Sequence, residues 1–439
     1  MQYSEANFAH DAFELEIAVT GRVSSGDLDG ALHMLTAGCA PLWAKTRAVG
    51  HIAASEPLDA LCLTIGAEVL ATMDRTPGAV SVEAEPRRCH LYLVTEVYRA
   101  GGHGRVLEDL IAASPDREHA VIWTSGEHVS ADEIPRRIRV DPAPAVYALL
   151  GSPLEKLRRA FALATSLRPD VIYHLGHPND AVTVALTQPS LARRLVMVHI
   201  GDTSFALGRF VAGATHVALG RHFQAVARSA WAIDMPLLPL TCGTMDHETI
   251  DHAKPENDFV TATAGAGHKY NPRGNASYLD VLATRFRARG GRHVHFGDLS
   301  PAQLQALEDR LTGLGYWDRF MHIEFVPRLS VALKQQEVDL YLDSYPVGGG
   351  RANIEAMAAG LPIVTGLYEP NFDGVSFCYP ECMTWTTVRE LEELLSSLGP
   401  QTLTAHTHLS RDYFINNHST AVFARRLDAL IGRSNAIRS

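Results

Sequence analysis

DLYLDSYPVGGGRANIEAMAAGLPIVTG, residues Asp339 to Gly366, is the stretch that decides the fold. An apolar run of strand length, Val338 to Leu342, leads into a loop with three successive glycines, Gly348, Gly349 and Gly350. A helix is expected over Asn353 to Ala359. Gly360-Leu361-Pro362 ends it tightly before a second strand, Pro362 to Thr365. Glycines at the mouth of a helix let backbone N–H groups approach an anion, and the helix N-terminus adds partial positive charge. That chemistry suits a diphosphate. Arg351 adds a charge-assisted donor, and Glu355, about one turn into the helix, can accept from a ribose diol. Tyr345, Gly349, Gly350, Ala352 and Asn353 complete the expected substrate-binding set. Taken alone, three glycines serve a plain strand-to-helix turn equally well.

Working outward, the same alternation fills most of the chain. On the N-terminal side of the motif, strands are expected at Phe259–Ala262, His293–Phe296 and Ile323–Val326. Helices are expected at Tyr278–Arg289, Pro301–Leu311 and Ser330–Lys334. Further helices follow at Val388–Leu398 and from Gln401 onward. An earlier block has strands at Leu91–Val97, Ala120–Thr124, Val171–Leu175, Leu195–Ile200 and Val217–Leu219. Its helices are Arg105–Ala113, Leu154–Leu167 and Phe223–Ala232. Apolar strands alternating with amphipathic helices imply mostly parallel sheets covered on both faces. Residues 1–75 read as helical, with Ser24-Ser25-Gly26-Asp27 as a start signal before Leu28, Ala31, Leu32 and Leu35. The division expected is therefore a helical domain at 1–75, a linker at 76–88, and a doubly wound domain at 89–240. A linker at 241–258 and a second doubly wound domain at 259–439 follow.

Composition narrows the function. The chain has 439 residues, 46% hydrophobic and 20% charged, with a net charge of −10. That is an ordinary globular profile, and it excludes disorder and small disulfide scaffolds. An acidic chain without a basic run is a poor general binder of nucleic acid or anionic membrane. No apolar run is long enough to span a bilayer, and the first ten residues show no secretory signal, so a cytoplasmic location is expected. The six cysteines form no C-x-x-C pair and read as reduced thiols rather than a zinc site, although Cys378 and Cys382 lie close in sequence.

The run Glu355-Ala356-Met357-Ala358, with Gly360, Pro362, Ile363 and Val364, resembles the nucleotide-sugar site of GT-B glycosyltransferases. Many retaining members carry a second Glu eight residues earlier, where this chain has Val347. D-S-Y-P-x-G-G-G is instead similar to a segment of O-GlcNAc transferases and of bacterial adhesin N-glycosyltransferases. The resemblance implies the GT-B fold, two Rossmann-like α/β domains with the ligand between them, here preceded by helices. It implies a transferase that inverts the anomeric centre, uses neither metal nor cofactor, and takes a UDP-hexose or UDP-HexNAc donor as substrate. It also fits a protein acceptor, while the chain leaves a lipid-linked or polysaccharide acceptor open, and the N-terminal helices are a candidate binding element for a protein acceptor or a partner.

Four further segments lie at the ends of expected strands. In Gly265-Ala266-Gly267-His268-Lys269-Tyr270-Asn271, the resemblance gives Lys269 the diphosphate and the leaving-group charge, and His268 and Asn271 nucleotide contacts. In Tyr98-Arg99-Ala100-Gly101-Gly102-His103-Gly104-Arg105, Gly102 lies close to a ligand and His103 is a candidate general base, since its ordinary pKa lies near neutrality. His199-Ile200-Gly201-Asp202-Thr203-Ser204-Phe205-Ala206-Leu207-Gly208 resembles an adhesin-transferase stretch, with Thr203 where a His is expected. That leaves Asp202 and His199 as alternative catalytic groups. His177, in His174-Leu175-Gly176-His177, is a further substrate contact. Competing readings are a nucleotide-sugar epimerase and a catalytically silent partner of another transferase.

Overall fold

The computed structural model describes residues 3–74, 88–97, 102–126, 129–130, 133–201, 203–243, 252, 254, 256–271, 276–367 and 374–433. Most of both expected linkers, residues Tyr98 to Gly101, and Asp202 lie outside the described residues, as does the side chain of His103. The chain divides into two compact units, Met1–Leu238 with Ala424–Ser439, and Pro239–Phe423.

The first unit opens with three helices, α1 (Glu5–Ser24), α2 (Leu28–Val49) and α3 (Glu56–Asp74). Local chemistry sets their ends. Ser4 and Asn7 form a capping box on α1, the Asp27 carboxylate accepts from the Gly30 N–H at the start of α2, and left-handed Gly50 closes α2. There follow β1 (Cys89–Val94), α4 (Gly102–Ala112), β2 (Glu118–Trp123), α5 (Ile134–Arg137), β3 (Ala145–Ala148) and α6 (Pro153–Leu167). The unit continues through β4 (Val171–Leu175), α7 (Ala181–Ala185), β5 (Arg194–His199), β6 (Thr215–Ala218) and α8 (Arg221–Trp231). The six strands are all parallel, in the order β3-β2-β1-β4-β5-β6.

Side chains on the strands segregate with period two. Leu91, Leu93, Ile122, Ile172, Leu195 and Met197 face an aliphatic core shared with α6 and α7 and with Leu32, Leu35, Leu58 and Ile65 of the N-terminal helices. The sequence sets residues 1–75 apart, and here they share one continuous core with the first sheet. Alternate positions His90, Tyr92, His119 and Tyr173 stack on the other face, with Tyr92 and Tyr173 rings 5.1 Å apart. Both rows are fully buried, which is why these strands read as continuous apolar runs.

The second unit contains β7 (Val260–Ala264), α9 (Tyr278–Ala288), β8 (Arg292–Phe296), α10 (Pro301–Gly313), β9 (Phe320–Ile323), α11 (Leu329–Gln335) and β10 (Leu340–Leu342). It continues with α12 (Arg351–Ala358), β11 (Ile363–Gly366), β12 (Met383–Trp385), α13 (Val388–Ser397) and α14 (Pro400–Asn417). The last helix, α15 (Thr420–Arg433), begins in this unit and enters the first at Ala424. Its six strands are parallel in the order β12-β11-β10-β7-β8-β9. Each sheet is therefore doubly wound, with a topological switch point at β1/β4 in one and β7/β10 in the other.

One expected strand shifts and four elements are added. The third strand of the second sheet is Phe320–Ile323, three residues earlier than expected, because this stretch pairs with β8 while Phe325 stands 54% exposed. β3, β12 and the short helices α5 and α7 were not anticipated. β3 and β12 are edge strands of four and three residues, and α7 is one turn started by Asp180. Among the described residues, no helix is long and apolar enough to cross a membrane.

Candidate functional site

The second switch point gathers the strongest sequence candidates. Lys269 lies in a single turn of 3-10 helix, Gly267–Tyr270, just past β7, and the glycine loop follows β10. β7 and β10 are neighbours in the sheet, so the two loops meet. The Lys269 ammonium donates to the Gly348 carbonyl at 3.1 Å, and the Val347 N–H donates to the Lys269 carbonyl at 3.3 Å. A lysine and a triglycine that are 79 residues apart in sequence thus share one corner.

Asp343, the first residue after β10, shapes that corner. Its Oδ1 accepts from the Gly349 N–H at 2.8 Å and its Oδ2 from the Thr365 hydroxyl at 2.9 Å. The Asn353 side-chain amide also hydrogen-bonds Asp343, and its Nδ2 reaches Cys378 Sγ at 3.2 Å. Burial pushes the Asp343 carboxyl up, while these donors and the Lys269 charge pull it back. The sequence reading missed Asp343. Its signal was an acid directly behind a buried apolar run, a place where a carboxylate needs partners.

The glycines are not equivalent. A Cβ on Gly349 would come within 3.1 Å of both Asp343 Oδ1 and Asn353 Oδ1, so a side chain there fits only if these groups give by a few tenths of an ångström. A Cβ on Gly350 would meet nothing nearer than 3.7 Å. Gly350 is the N-cap of α12 and supplies no side-chain acceptor to the helix. α12 therefore opens beside Lys269 with Arg351, Ala352 and Asn353 as its first turn.

The other candidates in this unit divide. Glu355 Oε2 accepts from the Ser330 N–H of α11 at 3.0 Å, and Oε1 lies 3.7 Å from Arg351 Nε, so the carboxylate also ties α11 to α12. His268 and Asn271 are exposed, and Asn271 Oδ1 accepts from Gln303 at 3.4 Å. Tyr345 departs from expectation. It is 3% exposed with its ring 4.6 Å from Trp385, inside the apolar core, so it packs the loop rather than lining the surface.

In the first unit, Gly102 is exposed and His103 lies in the first turn of α4. The β1/β4 switch point is laced by Asp180, which accepts from the hydroxyls of Thr95 and Thr124 at 2.6 Å each. The His177 N–H donates to Thr95 Oγ1 at 2.7 Å, and its half-buried ring sits 6.4 Å from Trp43. His199 is buried. His216 gives its Nε2 proton to the Val211 carbonyl, so its Nδ1 must accept the Nε2 proton of His199 at 3.0 Å. Burial and the neighbouring His216 and Arg209 hold His199 well below its ordinary pKa, so it is neutral with its free lone pair on Nδ1. Likewise His174, pushed down to about 4 by burial, donates from Nε2 to Thr183 Oγ1. Among the described residues, no three His, Cys, Asp or Glu side chains gather as a metal site.

The two doubly wound parallel sheets have counterparts among solved structures. Anabaena HepE, solved in complex with UDP and glucose, superposes with a TM-score of 0.58 at 16% identity, over 79% of this chain and 99% of that one. The fold is that of the GT-B glycosyltransferases. A glycosyltransferase of Rickettsia africae matches with a TM-score of 0.60 at 11% identity, over 80% of this chain and 99% of its own. The O-GlcNAc transferase of Thermobaculum terrenum, in a mutant form, matches at 0.52 and 16% identity over 97% of this chain and 85% of its own. No family model matches the chain, and no curated protein matches it in sequence. The likeness is thus one of GT-B fold, carried at low sequence identity.

Proposed function

We propose that this chain is a glycosyltransferase that takes its sugar from a nucleotide diphosphate sugar bound to the second unit. The observation that carries this reading is the convergence of Lys269, the Gly348–Gly350 loop and the start of α12 at the β7/β10 switch point. Switch points are where open α/β sheets bind ligands, and a helix N-terminus with an adjacent ammonium suits a diphosphate. The complex of UDP and glucose with HepE, a protein of the same fold, supports a uridine nucleotide as donor.

In this reading the Gly350–Asn353 backbone and Arg351 hold the diphosphate. Lys269 gives up its contact with the Gly348 carbonyl and turns to the departing nucleotide. An ammonium stabilises the charge that grows on the leaving group, which side chains alone supply without a metal. Glu355 takes the ribose with the lone pairs left beside its Ser330 contact. Inversion at the sugar needs a base for the acceptor, for which the candidates are His103, Asp202 and the neutral His199. A protein acceptor remains the preferred class by resemblance.

The test is a thermal-shift panel of UDP, GDP, ADP, CMP and dTDP with their sugars. A ligand at about 100 times its Kd adds roughly 2.7 kcal/mol of apparent stability. One stabilising nucleotide is expected, and its sugar conjugate should then release the nucleotide slowly into water. Nucleotide binding with no release and no transfer would instead favour a silent partner of another transferase. No shift with any nucleotide would remove the reading.

A further inference from the structure

The loop that joins β5 to β6 carries the Asp202 motif, and the N-terminal helices grip it at five points. The Phe205 N–H donates to Thr46 Oγ1 of α2 at 2.9 Å, and the Phe205 ring lies 5.3 Å from Phe8 of α1. The Asp59 carboxylate of α3 accepts from the Gly208 N–H at 2.6 Å and the Phe210 N–H at 2.9 Å. Between them, the fully buried Arg209 donates to the Ala53 carbonyl at 2.8 Å, just before α3. Its other nitrogen reaches back to the carbonyls of Gly201 and Ser204, on either side of residues 202–203. The guanidinium lies over Phe223 and Trp231 of α8, 4.7 and 5.0 Å from their ring centres. Asp59 interacts electrostatically with Arg209 and with the buried thiols of Cys39 and Cys62, which burial and the Asp59 charge push up.

We propose that Asp59 and Arg209 are positioning residues, a buried clamp through which the N-terminal helices fix the conformation of the loop following β5. The pattern is specific to that task. Asp59 has two oxygens and spends them on two backbone N–H groups of one turn. Arg209 donates to three carbonyls, two of which, Gly201 and Ser204, belong to this same loop. A helical region serving only as a docking element for an acceptor would not need a buried carboxylate and a buried guanidinium directed at a loop of the sheet. α2 extends the same contact to the β4 loop, where Asn179 Nδ2 donates to the Thr36 carbonyl at 3.3 Å.

The consequence for turnover rests on the glycosyltransferase reading, and the clamp itself does not, so the experiment reads them separately. Above pH 7, where the Asp59 carboxyl is ionised and both oxygens accept, amide hydrogen exchange is followed at residues 203–210 in wild type, Asp59→Asn and Arg209→Lys, alongside UDP binding and UDP release from UDP-glucose. Asp59→Asn keeps the shape but has one acceptor oxygen where two are used. Loop exchange at least tenfold faster is expected in both variants, with β4 and β5 unchanged. The kcat for UDP release should fall at least tenfold at unchanged UDP affinity. Loop protection equal to wild type overturns the clamp, and so does an unchanged kcat in a variant whose loop has opened. If either variant fails to fold, Thr46→Val, which removes one contact, takes its place with the same two outcomes. Failure of the wild type to bind UDP refutes the donor reading, and the exchange comparison alone then decides the clamp.

Discussion

Gly349 and Gly350 are adjacent glycines with different reasons to be there. Gly349→Ala forces a methyl against Asp343 and Asn353 at 3.1 Å and should cost about 1–3 kcal/mol in denaturant unfolding. Gly350→Ala has room, so its stability should stay within about 0.5 kcal/mol of wild type. Its UDP affinity should nevertheless fall several-fold by titration calorimetry, because the methyl occupies the approach to the helix N-terminus. Equal UDP affinity would mean that Gly350 is only a turn. Asp59 gives a pH prediction. Burial pushes its carboxyl from 3.8 up to about 7, against the pull of the Gly208 and Phe210 amides and Arg209. A raised acid keeps its proton in the folded state while the unfolded chain has lost it. Its contribution is therefore full below about pH 4 and is lost as pH rises toward 7. Wild type should lose up to about 4 kcal/mol relative to Asp59→Asn across that window. A pH-independent difference in unfolding free energy would contradict this.

Elements explain why part of the molecule is readable from sequence. β1, β4 and β5 are buried on both faces, so each is a mostly apolar run wherever the chain is scanned. The four-residue β3 and three-residue β12 lie at sheet edges and owe their form to a neighbour rather than to their own pattern. Lys269 and the triglycine were legible because each directly follows a strand, and strand order then joins them. Asp59, Arg209 and Asp343 were not, because their partners are settled by packing. Asp59 and Gly208 are 149 residues apart. α3 meets α7 through Gly66, where a Cβ would sit 2.0 Å from the Ala185 carbonyl oxygen. Backbone cannot yield as a side chain does, so Gly66→Ala should lower stability by about 1–3 kcal/mol or more, read as a fall in Tm of several degrees. An unchanged Tm would show that the helices dock loosely on the first unit. At the other end, Glu355→Ala leaves the Ser330 N–H without its acceptor. It should loosen α11 by about 1–2 kcal/mol as well as weaken UDP binding. Glu355→Gln should restore the stability more fully than the binding.

At the scale of the molecule, the proposed reading asks an acidic chain with net charge −10 to attract a diphosphate through local groups alone. Lys269, Arg351 and the first turn of α12 are the groups proposed for it, while nearby Asp343 is hydrogen-bonded by Gly349, Thr365 and Asn353. The fold places them at a switch point, and both sheets share the same strand order. The most direct measurement is therefore UDP titration of wild type and Lys269→Ala by calorimetry, with Tm recorded for both. Wild type should bind UDP, and Lys269→Ala should bind at least tenfold more weakly, a loss of about 1.4 kcal/mol, at a Tm within a few degrees of wild type. Equal binding by the two proteins, or no binding by either, would contradict a diphosphate site at the β7/β10 switch point.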